Sequence, residues 1–243
     1  MPFLTTPATM EAELVQEETR EENEQKTARD EAATKLTMEK EKDDMEVEPK
    51  TGVPFPVKLP NGMQLQASGL RRKKILGFGL NIYAFGIYGD IAGLKQLLRP
   101  KHGEATEMAT KEIYESVINS DVGMVVRLVI VFGGLTMSLV RKNFDEGLGA
   151  SLKKLTSDRT DEELITMVLG AAKDSMKLPA GTVIEITRFP DYVLHTKVAD
   201  ELVSKVKNEL LCRAFFHMYL GDDAFDKEAK EKFGASLLSL LRP

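Results

Sequence analysis

One cysteine, Cys212, stands in a chain of 243 residues. A lone thiol excludes an internal disulfide and a cysteine zinc site, and it suits a reducing compartment. Histidine is almost as scarce. His102, His195 and His217 are dispersed, none at a spacing such as HxxxH, so no metal site is expected. Long apolar runs are missing too. The longest, Leu128 to Leu139, carries Thr136 and Ser138 and falls far short of membrane-spanning length. The motif of serine hydrolases, GxSxG, is absent, and Cys212 sits among apolar neighbours as a core cysteine would. Nucleophilic catalysis therefore has no support, and no catalytic residue is assigned.

Two further absences narrow the partners. Gly77, Gly79 and Gly86 do not complete GxGxxG, because Ile82 holds the third glycine's place and no helix follows. No nucleotide cofactor is expected, and strand glycines of this kind instead permit close backbone approach or a bulge. A basic stripe is lacking as well. Residues 1–50 hold 15 acids and 7 bases, a net −8, which leaves 23 acids and 26 bases, a net +3, for the remainder. That small excess does not point to nucleic acid. The N-terminus has neither the basic and apolar regions of a secretory signal nor the Arg- and Ser-rich, acid-poor texture of a transit peptide. It reads as that of a cytosolic protein.

Residues 1–48 have one aromatic, Phe3, and abundant Glu, Lys, Thr and Asp. Such a segment buries too little apolar area to offset its ordering entropy, so a disordered acidic tail is expected there, with a folded domain over 49–243. Pro49, Gly52, Pro54 and Pro56 mark the boundary. Beyond it, short strands are expected at 53–59 and 63–68 around Asn61-Gly62, then longer ones at 71–79 and 81–88. Helices follow at 91–98 and 107–119, a Val/Ile-rich central strand at 123–132, and helices at 135–155 and 161–176. A hairpin at 182–188 and 192–196, a strand at 202–206, and helices at 207–220 and 227–241 complete the chain. This order predicts an α+β fold, an antiparallel sheet covered on one side by helices.

The informative stretch is Gly69 to Tyr88, in which four cations, Arg71 to Lys74, run into an apolar segment carrying Tyr83. Period 2 places Arg71, Lys73 and Ile75 on one face and Arg72, Lys74 and Leu76 on the other. Two readings follow. Either both faces are wet, at a sheet edge kept soluble by cations, or one Arg points into the layer interface and needs an anionic partner. Arg127, alone in the central strand, reads as a solvated or ion-paired residue of the outer face.

The order of three segments resembles the chalcone isomerase-like fold family across about residues 50–243. They are Gly69-Leu70-Arg71 followed by Tyr83-Ala84-Phe85-Gly86-Ile87-Tyr88, then Leu178 to Arg188 (LPAGTVIEITR), then Ala214 to Asp222, ending Tyr-Leu-Gly-Asp. The resemblance implies an open-faced β-sandwich. It also implies a choice between a true isomerase and a non-catalytic fatty-acid binder. The family's catalytic arginine matches Arg71, but Tyr83 replaces the strand Thr. Leu139 and Glu146 stand near the places of the middle-helix Tyr and Asn, and Met218 at that of the late-helix Ser or Thr. Losing those groups removes what would position water and steady a phenolate. What the resemblance leaves is Arg71 and Tyr83 as a carboxylate clamp, with a free fatty acid as ligand. Leu76, Phe78, Phe85, Leu128, Phe132 and Met218 would then line its chain. On this reading Arg72 and Lys74 are solvated, and Lys73 belongs to either class. The alternatives are residual chalcone-to-flavanone isomerisation, or an accessory protein that binds a polyketide synthase such as chalcone synthase. The family's fatty-acid binders also bring plastid stroma forward as a second location.

Overall fold

The structure is a computed structural model that describes residues 44–75, 78–99, 108–156 and 162–242. Residues 1–43 of the expected tail thus lie outside the described residues. One compact unit of the chain spans Glu46–Pro243. Glu48 is already buried, its carboxylate accepting from the Lys50 amide and the Thr51 hydroxyl.

Two short strands, β1 (Met45–Val47) and β2 (Pro54–Pro56), form a small separate sheet. The main sheet is built from β3 (Gln64–Ile75), β4 (Phe78–Gly89), β5 (Met124–Ile130), β8 (Val183–Phe189), β9 (Val193–Val198) and β10 (Glu201–Lys207). Its order is β10-β9-β8-β5-β4-β3, antiparallel throughout, so β3 is an edge strand. A third pair, β6 (Leu135–Thr136) and β7 (Lys177–Leu178), closes the loop around the central helices. The helices are α1 (Ile91–Leu98), α2 (Lys111–Asn119), α3 (Met137–Leu155), α4 (Glu162–Met167), α5 (Glu209–Leu220) and α6 (Lys227–Leu241). This is the helix-covered antiparallel sheet that the element order predicts, and the open-faced sandwich that the resemblance implies.

Strand alternation sets the core. Val126, Leu128 and Ile130 on β5, Ile184 and Ile186 on β8, and Leu194 and Val198 on β9 are buried beneath the helices. Alternate positions face outward, where Arg127 is ion-paired with its cross-strand neighbour Glu185. That is the ion-paired placement expected for it. The outer face is covered at one end, where Leu59, Tyr88 and Val125 form a small cluster.

Four expected elements differ from the structure. The strands expected at 63–68 and 71–79 are one continuous strand, because Gly69 does not break it. The missing Cβ instead admits α6, since a Cβ there would lie 2.5 Å from that of Ala229. The strand expected at 53–59 shrinks to Pro54–Pro56, where prolines lack the N–H a longer ladder needs. The helix expected at 161–176 ends at Met167. Gly170 has φ +40°, and the chain turns there onto β10, with Ala171 N–H donating to Val203 O at 3.0 Å. Thr160 and Asp161, the expected caps, lie outside the described residues.

A second tie between layers comes from Arg188, fully buried at the end of β8. It donates to Val122 O at 2.9 Å, Ile118 O at 3.2 Å and Val117 O at 3.1 Å, and lies over the Phe216 ring. Burial lowers its pKa to about 10, so it stays charged at neutral pH. The last carbonyls of α2 have no intrahelical donors, and they carry the negative end of the helix dipole. Arg188 supplies both the donors and the charge. Arg188→Met should therefore lower unfolding free energy by at least ~2 kcal/mol, about 1 kcal/mol for each of Val122 O and Ile118 O, while Val117 O keeps the Ser120 hydroxyl as donor. Urea denaturation checks this, and a loss below about 1 kcal/mol would show that these bonds are replaced by water.

Candidate functional site

Arg71 and Tyr83 are Cα partners across the β3–β4 pair. The next pairing, Arg72 with Asn81, skips Ile82, so a bulge in β4 falls directly beside the pair. Such an insertion bends the strand and re-aims its side chains. Here both Ile82 and Tyr83 are buried in the core. Arg71 consequently sits on the helix-covered face, although β3 is the sheet edge. The two faces of the basic cluster are therefore not both wet. Arg72 is exposed, while Arg71 is half-buried. Lys73 shares the face of Arg71, as period 2 requires, and pairs with Glu146 of α3 at 2.7 Å. The side chain of Lys74 lies outside the described residues.

Two aromatic residues complete the cluster. The Arg71 guanidinium carbon lies 3.6 Å from the centroid of Phe225, a cation–π contact. The hydroxyl of Tyr83 is 3.3 Å from that of Tyr219, reached from α5. Tyr219 is enclosed by rings, with centroids at 5.0 Å for Phe85, 5.5 Å for Phe215 and 5.4 Å for Phe225. Burial pushes the Tyr83 phenol above its ordinary value, opposed by the Tyr219 hydrogen bond and by Arg71. Tyr219 is pushed up further by burial and by Tyr83, again with Arg71 opposing. Arg71 Nε is buried and has no hydrogen-bond partner.

Local contacts fix this arrangement. Asp226 caps α6, accepting from Ala229 N–H at 3.2 Å, and its other oxygen accepts from Leu70 N–H at 3.0 Å. One carboxylate thereby satisfies a donor of β3 and pins the residue next to Phe225 against the residue next to Arg71. Gly147 of α3 leaves room for the ring. A Cβ there would stand 2.6 Å from the Phe225 ring and 2.7 Å from Met218 Sδ.

The expected lining residues divide. Phe85 touches Tyr219, and Leu128 is its partner in the neighbouring strand, both fully buried. Met218 is buried against Gly147. Phe132 lies beyond β5, which ends at Ile130, and the residue is 40% exposed. Leu76 lies outside the described residues, as does the side chain of Phe78. Tyr219 belonged to a segment already singled out, and its spacing of four from Phe215 puts both on one helix face. Phe225 has no comparable signal, since only the approach of α6 brings it to Arg71.

A second cleft, of about 470 Å³, carries Lys111, Lys154, Arg213 and Lys230 on its walls. Its cations are already engaged. Lys111 pairs with Asp222, Lys154 with Asp223 and Arg213 with Glu209, and Lys230 donates to Gly221 O at the end of α5. His217 there bonds Ser151 at 3.2 Å, and burial lowers its pKa. Among the described residues, no group of histidine, cysteine and carboxylate side chains could hold a metal ion, and no helix is long and apolar enough to cross a membrane.

Known proteins share this architecture. No family model matches the chain. Chalcone isomerase-like protein 1 of Humulus lupulus is 48% identical over 196 residues, 80% of this chain and 92% of that protein. Fatty-acid-binding protein 1 of Arabidopsis thaliana is 36% identical over 202 residues, 82% of this chain and 72% of that protein. The crystal structure of an Arabidopsis thaliana fatty-acid binding protein has a TM-score of 0.74 and 34% identity, covering 81% of this chain and 98% of that one.

The buried phenols set a pH dependence. A phenol whose pKa is raised by folding favours the folded state while protonated, so its contribution is complete below the unfolded value and lost as pH rises past it. Stability should hold to about pH 9 and fall above about pH 10, the ordinary phenol value. Tyr83→Phe should shallow that fall, as read by denaturant midpoints across the range. An unchanged slope would mean that this phenol does not titrate on unfolding.

Proposed function

This chain belongs to the chalcone isomerase-like family, whose members include plant fatty-acid-binding proteins, and we propose that it is a non-catalytic binder of free fatty acids. The observation that carries this reading is the buried, unpartnered Nε–H of Arg71 beside the Tyr83 hydroxyl. A buried guanidinium without a protein anion is costly unless a ligand supplies one. A carboxylate suits it, because the planar fork of Arg matches two oxygens and a phenol adds a third donor. Each methylene taken from water into the apolar layer between sheet and helices contributes about 0.8 kcal/mol. Phe85, Leu128 and Met218 are the lining proposed here.

Isomerase chemistry is disfavoured by the same geometry. Where the family's enzymes have hydroxyl and amide groups, this chain has Met218 packed in the core, Glu146 tied to Lys73, and Leu139 on the surface. Neither Met218 nor Leu139 could position water or hold a developing phenolate, and the carboxylate of Glu146 would repel one.

Delipidated protein should bind dodecanoate saturably in calorimetric titration, and Arg71→Ala should weaken binding by at least ~30-fold, the cost of removing one partner of a buried charged pair. Absence of saturable binding by the wild type would end the proposal. Equal affinity in Arg71→Ala would keep a fatty-acid site but move its head group elsewhere.

A further inference from the structure

Tyr219 lies outside the Arg71–Tyr83 pair, yet the donors and acceptors of the cluster give it a task. Each phenol brings one O–H. With the two hydroxyls buried and 3.3 Å apart, one proton lies between them, and the other has no acceptor among the described residues. Arg71 Nε–H also lacks an acceptor. Two spare donors and one positive charge thus converge, and an anion with two acceptor oxygens would satisfy them.

We propose that Tyr219 is the positioning residue of the carboxylate site, donating to the Tyr83 oxygen and so committing the Tyr83 proton to the ligand. This rests on the fatty-acid reading above. The direction follows from the surroundings. The Tyr219 ring packs against Phe85, Phe215 and Phe225, and among the described residues its hydroxyl meets only that of Tyr83. The reverse arrangement would bury the Tyr219 proton against rings and leave it unbonded. Tyr83 stands opposite Arg71 in the strand register, so its proton can share an anion with the guanidinium. A hydroxyl that already accepts a bond also donates more strongly, because successive bonds polarise one another. Phe225 occupies one face of the guanidinium and leaves its edge for the ligand.

A double-mutant cycle on delipidated protein tests this, with dodecanoate as the probe. Tyr83→Phe should weaken binding about tenfold, the loss of a hydrogen bond to a charged group, and Tyr219→Phe about fivefold. The double variant should bind no more weakly than Tyr83→Phe alone, because Tyr219 acts through Tyr83. Tyr219→Met, which also removes the hydroxyl, must repeat that pattern, and it keeps the cycle usable if Tyr219→Phe fails to fold. Wild-type affinity in Tyr219→Phe would overturn the proposal, as would losses that multiply in the double variant, the mark of a packing role alone. Failure of the wild type itself to bind dodecanoate would instead remove the fatty-acid reading, and this inference with it.

Discussion

The guanidinium of Arg71, held between sheet and helices with its Nε–H unbonded, is the constraint around which the candidate site is arranged. Three other cations of the sheet are matched by the protein. Arg188 meets three carbonyls, Lys73 meets Glu146, and Arg127 meets Glu185 on the open face. Arg71 instead has an aromatic face beneath it and a phenol pair beside it. Cation–π attraction is worth about 0.5–2 kcal/mol, too little to offset the effective desolvation of an ion, which is several kcal/mol. The half-buried position of Arg71 lowers that cost without removing it, which is the ground for the ligand anion proposed above.

Several features that look like local defects serve to hold this one side chain. The bulge turns Ile82 inward beside Tyr83, Gly69 lets α6 close on the sheet edge, and Gly147 makes room for Phe225 and Met218. Asp226 then locks helix to strand with a single carboxylate. An ordinary sandwich core would need none of these together. Their convergence on neighbouring residues is the pattern expected where a protein gives up packing simplicity for a site.

Much of this was legible in the chain. Alternation in β5 and β8, the Asn61-Gly62 turn and the late helix depend on local patterns, and they stand where those patterns put them. Arg71 and Tyr83 were legible as a pair through family resemblance, whereas period 2 alone left the edge and buried readings open. What stayed hidden depends on tertiary approach. Gly170 ends a helix that its neighbours would continue, because the turn onto β10 is set by a distant strand. Phe225 follows no period and acquires its place only when α6 docks.

The most direct test is a crystal structure of the protein with dodecanoate bound. The account predicts the carboxylate within hydrogen-bonding distance of Arg71 Nε and the Tyr83 hydroxyl, with the Tyr83–Tyr219 contact kept and the chain between sheet and helices. A carboxylate in solvent or in another cleft, with Arg71 Nε still unbonded, would contradict it.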